Sequence, residues 1–210
     1  MNEAKHQYNE ESLDEATVDR DPLKLFERWL DEAKATGMHL PEAVTLATAT
    51  PDGKPSARLV LLKGVDERGF VFFTNYQSRK ARELDANPPA ALVFYWPQLE
   101  RQARVEGKVE RTSAAESDAY FKTRPRESQI GAAASPQSEV ISSRAALQEK
   151  ADELEKLYEG REVERPEHWG GYRLRPKRIE FWKGRPGRLH DRISYEKQAD
   201  GRWTIQRLAP

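Results

Sequence analysis

Three side chains that can bind an anion or polarise a ring stand at every second position near the end of the chain. They are Arg188, His190 and Arg192, within IEFWKGRPGRLHDR at 179–192. Strand side chains alternate between two faces, so this spacing predicts a strand that presents all three on one face. Two guanidinium groups and an imidazole repel one another unless an anionic or electron-rich partner lies between them. The stretch therefore predicts a binding site, with Trp182 six residues before Arg188.

A second set of cations follows the apolar segment FVFFTN at 70–75. Ser78 is a predicted helix N-cap, which places Arg79 and Lys80 in the first helical turn. Cations are unfavourable there, because a helix N-terminus carries partial positive charge. Backbone amides at such a terminus bind anions, so we interpret the segment as an anion site. Ordinary surface cations are the alternative.

A third set combines a phenol, a guanidinium and a hydroxyl. Tyr120 and Arg124 are four residues apart and share a face of the helix that starts at Ser113, if that helix extends so far. Ser128 follows the break at Pro125. Together these donors suit a phosphomonoester. A solvated helix end explains the same residues equally well.

The segment RLVLLK at 58–63 has an apolar centre and a cation near each end. One interpretation is a buried strand whose terminal side chains reach water. The other is a strand that crosses a phosphate site. From this segment alone the buried strand is favoured.

Composition excludes several classes of protein. Lys and Arg number 35, as do Asp and Glu, and this zero net charge argues against a general binder of polyanions. The absence of Cys excludes disulfides, thiol catalysis and cysteine-bound metals. The four His residues occur in unrelated contexts, and no phosphate-binding loop, dinucleotide fingerprint or nucleophile elbow is present. The polar start and the lack of a long apolar run predict a soluble cytoplasmic protein with no membrane partner.

The order of elements predicts how these residues are positioned. Residues 1–20 lack apolar periodicity and predict a flexible arm or lid, and 21–210 predict a single domain. Predicted helices start after Asp21, Ser78 and Ser113 and cover 126–133 and 143–159, and predicted strands cover 43–50, 56–65, 70–75, 90–96 and 102–110, with three more after a loop at 162–171. Many antiparallel strands with a few peripheral helices indicate an α+β fold, mainly antiparallel, built on a closed or half-closed barrel.

From residue 21 to its end the chain resembles the pyridoxine/pyridoxamine 5'-phosphate oxidases. The motifs that carry the resemblance are RLVLLK (58–63), FFTNYQSRKA (72–81), LERQARVEGKVER (99–111), YFKTRPRESQIGA (120–132), WGGYR (169–173) and EFWKGRPGRLHDR (180–192). Several motifs in the family's order are far more specific than any one alone. The resemblance implies an FMN-binding split β-barrel that forms a homodimer, with FMN at the subunit interface.

The same resemblance implies roles for individual residues. Those implied to bind FMN are Arg58, Leu59, Val60, Leu61, Leu62, Lys63, Phe73, Thr74, Arg79, Lys80, Gln102, Gln137, Ser138, Trp182 and Arg192. Those implied to bind the substrate are Lys63, Tyr120, Arg124, Ser128, Arg188, Leu189 and His190. Of these, Arg188 and His190 are implied to be catalytic, by orienting and polarising the substrate ring rather than as an obligatory general base. No metal is implied.

The implied reaction is oxidation of pyridoxine 5'-phosphate and pyridoxamine 5'-phosphate to pyridoxal 5'-phosphate, a step of vitamin B6 biosynthesis and salvage. The C4' carbon gives a hydride to FMN, and O2 is the final acceptor, with H2O2 as product. The flavin carries this chemistry while the protein binds and orients. The chain departs from the family at Lys183-Gly184-Arg185-Pro186, where Gln-Gly-Gly is usual, and at Ala133, where a large aromatic is common.

Three other functions are weighed against this one. A flavin oxidase acting on another ring, such as those of phenazine synthesis, fits the cofactor motifs but not the phosphate donors Lys63, Tyr120, Arg124 and Ser128. A non-catalytic barrel that stores or delivers flavin or pyridoxal phosphate would keep the binding residues without turnover. A nucleic-acid-binding barrel is the least favoured, because the net charge is zero.

Overall fold

The computed structural model describes residues 12–210. Its helices are α1 (Pro22–Ala35), α2 (Arg79–Ala86), α3 (Ala114–Thr123), α4 (Arg126–Ala134) and α5 (Arg144–Leu157). Its strands are β1 (Ala43–Ala49), β2 (Pro55–Leu61), β3 (Gly64–Asp66), β4 (Gly69–Asn75), β5 (Pro89–Trp96), β6 (Arg101–Arg111), β7 (Trp169–Lys183), β8 (Asp191–Lys197) and β9 (Trp203–Arg207).

All of these strands belong to one antiparallel sheet that curls into a half-barrel. Its main path runs β2-β1-β5-β6-β7-β4-β3, and β8 and β9 continue from β7. The fifteen-residue strand β7 makes this branching possible, because its first half pairs with β4 and its second half pairs with β8. The predicted fold class, α+β and mainly antiparallel, is confirmed.

Helix α1 closes the inside of the half-barrel. It begins at Pro22, and the side chain of the N-cap Asp21 accepts a hydrogen bond from the Leu23 amide. The ring of Phe26 packs edge-on against Phe70 of β4 and Phe94 of β5, at centroid distances of 4.8 and 4.7 Å. Burial of each such ring contributes about 1.5–3 kcal/mol. The apolar face of α1 and the inner face of the sheet therefore form the main core.

A second, smaller core fixes α3 and α4 at the start of β7. It consists of Phe121, Ile130, Val163 and Trp169, each at most 6% exposed. Helix α3 starts with the predicted capping box, in which Ser113 and Glu116 each bond the other's backbone amide. This core sets the place of the α3–α4 junction relative to the sheet.

Two predicted boundaries are wrong. The strand expected over 56–65 breaks after Leu61, because the amide of Leu62 donates to Glu42 and that of Lys63 donates to Val71. The loop expected over 162–171 is shorter, because Trp169 already pairs with Asn75 of β4.

The described part of the predicted N-terminal arm is packed. Leu13 and Val18 are buried, at 6% and 8% exposure. The amide of Leu13 donates to Asp191 over 3.2 Å, and the hydroxyl of Tyr195 donates to the carbonyl of Asp19 over 2.8 Å. Residues 1–11 lie outside the described residues, so the lid role stays a prediction. Over 12–210, no helix is both long enough and apolar enough to cross a membrane.

Candidate active site

A buried carboxylate organises the first cluster of cations. Glu83 of α2 is 5% exposed, and its Oε2 accepts from the hydroxyls of Ser56 (2.6 Å) and Thr48 and from Arg58 Nη2 (3.2 Å). Its Oε1 accepts from Arg79 Nε over 2.8 Å. Burial alone would raise the pKa of Glu83, but these donors outweigh it and lower the pKa to about 2. We call these five residues the Glu83 cradle.

The edge position of β2 and the exposure of Leu59 contradict the interpretation of 58–63 as a buried strand. Strand β2 lies at the edge of the sheet, and Leu59 is 70% exposed. The guanidinium of Arg58 is not directed to bulk water, because its Nη1 donates to the hydroxyl of Thr48 (2.6 Å) and the carbonyl of Leu46 (3.2 Å). Desolvation lowers the pKa of Arg58, and the charge of Glu83 opposes that shift.

Lys80 stands beside the cradle at the start of α2. Its Nζ donates to Thr74 Oγ1 (3.1 Å) and to Gln137 Oε1 (2.7 Å). Helix α2 begins as predicted, with Ser78 as the N-cap that accepts from the Ala81 amide. Burial first, and then the nearby charge of Arg58, lower the pKa of Lys80 to about 8. Within residues 12–210, no carboxylate is in ion-pair contact with the Lys80 ammonium.

The loop after α4 brings Gln137 and Ser138 to the same place. The side chain of Asn75 donates to the carbonyl of Ser135 over 3.2 Å, which fixes the loop against the end of β4. Gln137 then accepts from Thr74 Oγ1 over 2.9 Å. Ser138 has a left-handed backbone, with φ of 74°. Cations, hydroxyls and helix amides thus converge here, which is the donor chemistry a phosphate monoester requires.

Two stacked rings form a platform on the other side of β4. Phe73 of β4 and Trp169 of β7 lie 5.4 Å apart between centroids, with an interplanar angle of 10°. Tyr120 of α3 stacks on Phe73 at 4.0 Å, and Arg124 Cζ lies 4.6 Å from the centroid of the Trp169 ring. We call Phe73 and Trp169 the aromatic platform. The aromatic platform thus holds Tyr120 and Arg124, two of the residues predicted to bind the substrate phosphate.

Arg124 is a partly buried cation without a carboxylate. Its Nη1 is buried and has no hydrogen-bond partner in the described part of the chain, where it also makes no ion pair. Desolvation lowers the pKa of Arg124 and raises that of Tyr120, so Tyr120 stays a phenol that can donate. An unsatisfied guanidinium nitrogen of this kind is costly unless a ligand supplies an acceptor.

Ser128 lies in the first turn of α4, close in sequence to Arg124. The N-cap of α4 is Pro125, which has no side-chain oxygen to bond the first amides. The Ser128 amide donates to the Pro125 carbonyl over 2.9 Å, so the amides of Arg126 and Glu127 are the ones left to bind an anion. Ser128 is half-buried. Tyr120, Arg124 and Ser128 thus lie within nine residues of chain that span the α3–α4 junction.

Gly171 leaves room for the platform. It pairs with Phe73 across β4 and β7, and a Cβ atom there would lie 2.8 Å from the Phe73 ring and 2.4 Å from Thr112 Oγ1. Contacts this short do not occur, so a larger residue would displace Phe73. The WGGYR motif thus requires glycine at 171, because a side chain there has no room.

Lys63 is not joined to these residues in one chain. It sits at the break after β2, exposed, beside a depression that also includes Glu27, Asp31, Lys34 and Glu42. In residues 12–210, no hydrogen bond or ion pair links Lys63 to Tyr120, Arg124 or Ser128. Its predicted shared role in cofactor and substrate binding stays a prediction.

The remaining predicted residues form a separate β6–β8 group: Gln102, Trp182, Arg188, Leu189, His190 and Arg192. Gln102 pairs with Trp182, and Trp182 pairs with Arg192, so these three lie in a row on the outer face of the sheet. Arg192 donates through Nε and Nη2 to Glu180 Oε1, over 2.9 and 2.8 Å. Glu180 is 4% exposed and holds Arg192 in this row.

The prediction that one strand carries Arg188, His190 and Arg192 on a single face is wrong. Strand β8 begins only at Asp191, and Arg188 lies in a short turn with φ of 62°. His190 is still placed beside Trp182, with ring centroids 4.7 Å apart. Its Nδ1 accepts from the Arg185 amide over 3.1 Å, so in the neutral ring Nε2 carries the proton. Loop geometry, rather than strand parity, brings these residues together.

The two sets of residues are far apart within one chain. The set around the cradle and the platform is carried by β2, β4 and the helices α2 to α4, and we call it the helix-side group. Trp169 of the helix-side group and Trp182 of the β6–β8 group lie near opposite ends of β7, thirteen residues apart along the strand. Among the described residues, no hydrogen bond, ion pair or ring contact joins the helix-side group to the β6–β8 group.

Three residues with evident roles in these clusters were not predicted from the sequence: Glu83, Trp169 and Glu180. A local signal existed for Glu83, which follows Arg79 by four residues on α2 and can pair with it. Glu180 precedes Trp182 by two residues and so shares its strand face. Trp169 had no local signal, because its partner Arg124 lies 45 residues earlier and meets it only in the folded chain.

Comparisons with known proteins agree with this architecture. Residues 30–158 match the family model described as pyridoxamine 5'-phosphate oxidase, and 169–210 match that of the pyridoxine 5'-phosphate oxidase C-terminal dimerisation region. A pyridoxine/pyridoxamine 5'-phosphate oxidase of Rubrobacter xylanophilus is 58% identical over 98% of this chain and 94% of its own. The crystal structure of PhzG from Burkholderia lata, in complex with tetrahydrophenazine-1-carboxylic acid, is 34% identical, with a TM-score of 0.89 over 95% of this chain and 98% of that one.

A more distant structure shares the fold alone. The pyridoxamine 5'-phosphate oxidase-related, FMN-binding protein of Nostoc punctiforme is 17% identical, with a TM-score of 0.73 over 92% of this chain and all of that one. Together, the fold and the matched regions define an FMN-binding split-barrel oxidoreductase with a dimerisation region. More narrowly, the chain belongs to the pyridoxamine 5'-phosphate oxidase family.

Proposed function

We propose that this protein oxidises pyridoxine 5'-phosphate and pyridoxamine 5'-phosphate to pyridoxal 5'-phosphate, with O2 as electron acceptor and H2O2 as product. The observation that carries the proposal is Arg124, a partly buried guanidinium with an unsatisfied Nη1 beside Tyr120 and an open helix N-terminus. A phosphate monoester supplies the missing acceptors and the missing negative charge. The relative at 58% identity carries the name of this activity, which supports the same substrate class.

FMN would bind through the second anion site. Arg58, Arg79 and Lys80 would hold its phosphate at the N-terminus of α2, together with Thr74 and the loop at 137–138. This donor set fits the cofactor, because its cations and hydroxyls lie at one helix terminus. When bound, FMN supplies the capacity to accept a hydride and pass electrons to O2.

We infer that each active site is shared between two subunits. Within the described residues of one chain, the two groups lie toward opposite ends of the fifteen-residue strand β7, and no hydrogen bond, ion pair or ring contact joins them. If a second copy provides Gln102, Trp182 and Arg192, both groups can surround one FMN. The match of 169–210 to a dimerisation region supports this arrangement.

Within such a site the side chains would bind and orient. Tyr120, Arg124 and Ser128 would fix the substrate phosphate, and Lys63 would add a further cation. His190, with its proton on Nε2, would donate to the substrate ring, while Trp182 covers the imidazole. Arg188 is exposed, and its guanidinium makes no hydrogen bond or ion pair with residues 12–210, so it is available to an electron-rich ring substituent.

A phenazine precursor is the alternative substrate, because PhzG, the 34%-identical structure, holds tetrahydrophenazine-1-carboxylic acid. That ligand carries a carboxylate rather than a phosphate dianion. The unsatisfied Nη1 of Arg124, with Tyr120 as its neighbour, favours the dianion. We therefore place the phosphorylated B6 vitamers first.

A visible spectrum of the purified protein tests the proposal directly. We expect a bound flavin spectrum that bleaches, with formation of the aldehyde, when pyridoxine 5'-phosphate is added without oxygen. It should return on aeration with formation of H2O2. Unphosphorylated pyridoxine is the matched control and should react far more slowly. Bleaching by a reduced phenazine precursor, but not by the phosphorylated vitamer, would assign the alternative substrate. Flavin that neither compound reduces would indicate a storage or delivery protein.

A further inference from the structure

We infer that Trp169 is a positioning residue, whose ring holds the Arg124 guanidinium in place for the substrate phosphate. The inference rests on the proposed function, in which Arg124 binds that phosphate. Trp169 is 6% exposed, and its ring lies 4.6 Å from Arg124 Cζ. The ring of Phe121 is the next nearest, at 5.7 Å. A ring face attracts a cation without accepting its N–H donors in the plane, so those donors stay available to a ligand.

The alternative way to hold an arginine is a carboxylate, and it is used elsewhere in this chain. Glu83 accepts from both Arg58 and Arg79, and Glu180 accepts from Arg192. A carboxylate in the same place beside Arg124 would occupy the donors and repel an incoming dianion. Holding Arg124 with an aromatic ring avoids both effects.

The same platform positions the second donor. Tyr120 stacks on Phe73 at 4.0 Å, and Phe73 stacks on Trp169 at 5.4 Å, with planes within 19° of parallel. The phenol and the guanidinium are therefore set by one pair of rings on neighbouring strands. Trp169 is held in turn by its backbone pairing with Asn75 and by the Arg165 guanidinium, which donates to its carbonyl over 2.7 Å.

The test is steady-state kinetics of the holoenzyme with Trp169→Leu and Trp169→Phe. Arg124 contacts the phosphate and not the reacting carbon, so its loss of position should affect binding rather than chemistry. We expect Trp169→Leu to raise KM for pyridoxine 5'-phosphate about tenfold, with kcat changed less than twofold. Trp169→Phe keeps a ring face and should restore most of the wild-type KM. Turnover of unphosphorylated pyridoxine should be the same in all three proteins.

Trp203→Leu is the matched control, because Trp203 also faces a cation, Lys197, at 5.5 Å, but lies on β9 away from both anion sites. It should leave KM unchanged. Flavin content and melting temperature report folding, and if Trp169→Leu does not fold, Trp169→Met removes the ring while keeping apolar volume. An unchanged KM in the folded leucine or methionine variant, or an equal rise in the phenylalanine variant, would overturn the inference.

Failure of the proposed function gives a different result. In that case the wild type itself does not oxidise pyridoxine 5'-phosphate, and binding of inorganic phosphate to the holoenzyme, followed by 31P NMR, replaces KM as the readout. Weaker phosphate binding in Trp169→Leu but not in Trp169→Phe would still support the role of Trp169. Equal binding by all three proteins would refute it.

Discussion

The Glu83 cradle and the aromatic platform hold their arginines in opposite ways. In the cradle, Arg58 and Arg79 share one buried carboxylate. At the platform, Arg124 rests on the ring of Trp169 and has no carboxylate partner in the described part of the chain. The first arrangement neutralises part of the positive charge before any anion arrives, and the second leaves it open.

This difference fits the two proposed ligands. A cofactor phosphate stays bound through many reaction cycles, so a rigid cradle with fixed hydrogen bonds is suitable. A substrate phosphate must enter and leave in each cycle, so its cation has to be available without first breaking an ion pair. Four predictions test the comparison, from the largest expected effect to the smallest.

Arg124→Gln should have the largest effect. A charge-assisted bond contributes about 1.5–3 kcal/mol, so we expect kcat/KM for pyridoxine 5'-phosphate to fall about 100-fold. FMN content should not change, because the cradle is intact. Steady-state kinetics and the flavin absorbance of the purified variant measure the two quantities. Loss of FMN instead would place Arg124 in the cofactor site and remove the distinction between the two clusters.

Arg58→Gln should have the reverse pattern. The variant loses one of the cradle's cations, so we expect FMN to bind about 30-fold more weakly. Riboflavin, which lacks the phosphate, is the control ligand, and its affinity should be unaffected. Fluorescence titration of the flavin-free protein measures both. Equal weakening of FMN and riboflavin would show that Arg58 contacts the ring or supports the fold rather than the phosphate.

Glu83→Gln should lower the free energy of unfolding by about 2 kcal/mol at neutral pH, because Arg58 and Arg79 lose the carboxylate that they share. The folded-state pKa of Glu83 is lowered to about 2 from an ordinary value of 4.5. The contribution of the Glu83 carboxylate to the free energy of unfolding is therefore complete above pH 4.5 and is lost as the pH falls toward 2. Urea unfolding from pH 6 to pH 3 should show the wild type and the variant converging. Glu153→Gln is the matched control, because Glu153 is an exposed carboxylate of α5 that makes no ion pair within residues 12–210.

The pH dependence of FMN binding should be the smallest effect. The pKa of Lys80 is lowered to about 8 in the protein without cofactor, and a bound phosphate raises it again. FMN binding therefore takes up a proton above pH 8, and affinity should fall about fivefold between pH 7 and pH 9. Lys80→Arg stays charged and should give a flat profile. The same slope in both proteins would mean that another group titrates.

Much of the fold was predictable because its signals are local. The caps Asp21, Ser78 and Ser113 define helix starts through bonds to residues two or three positions away. Alternation and apolar runs located most strands. The strand wrongly predicted over 188–192 could have been recognised as a turn from the sequence, because Pro186-Gly187 is a turn dipeptide. In the structure Gly187 has φ of 67°. The alternation of Arg188, His190 and Arg192 was given more weight than this dipeptide.

The site was predictable only as separate motifs. Tyr120 lies in the last turns of α3 and Arg124 is the C-cap of that helix, but nothing nearby in the sequence indicates that Trp169 and Phe73 support them. Arg58 and Glu83 meet across 25 residues, through the approach of α2 to β2. Contacts of this kind depend on strand order and helix docking, so the pattern of one segment does not contain them.

The length of β7 has a consequence for inheritance. Trp169 near its start belongs to the helix-side group and Trp182 near its end belongs to the β6–β8 group, thirteen residues or about 43 Å along the strand. In a dimer with shared sites, each copy of β7 would therefore serve both sites. A subunit defective in Arg124 and a subunit defective in Arg188 would together form one site with both defects and one with neither. Two inactive alleles of this gene would then complement each other in a mixed dimer.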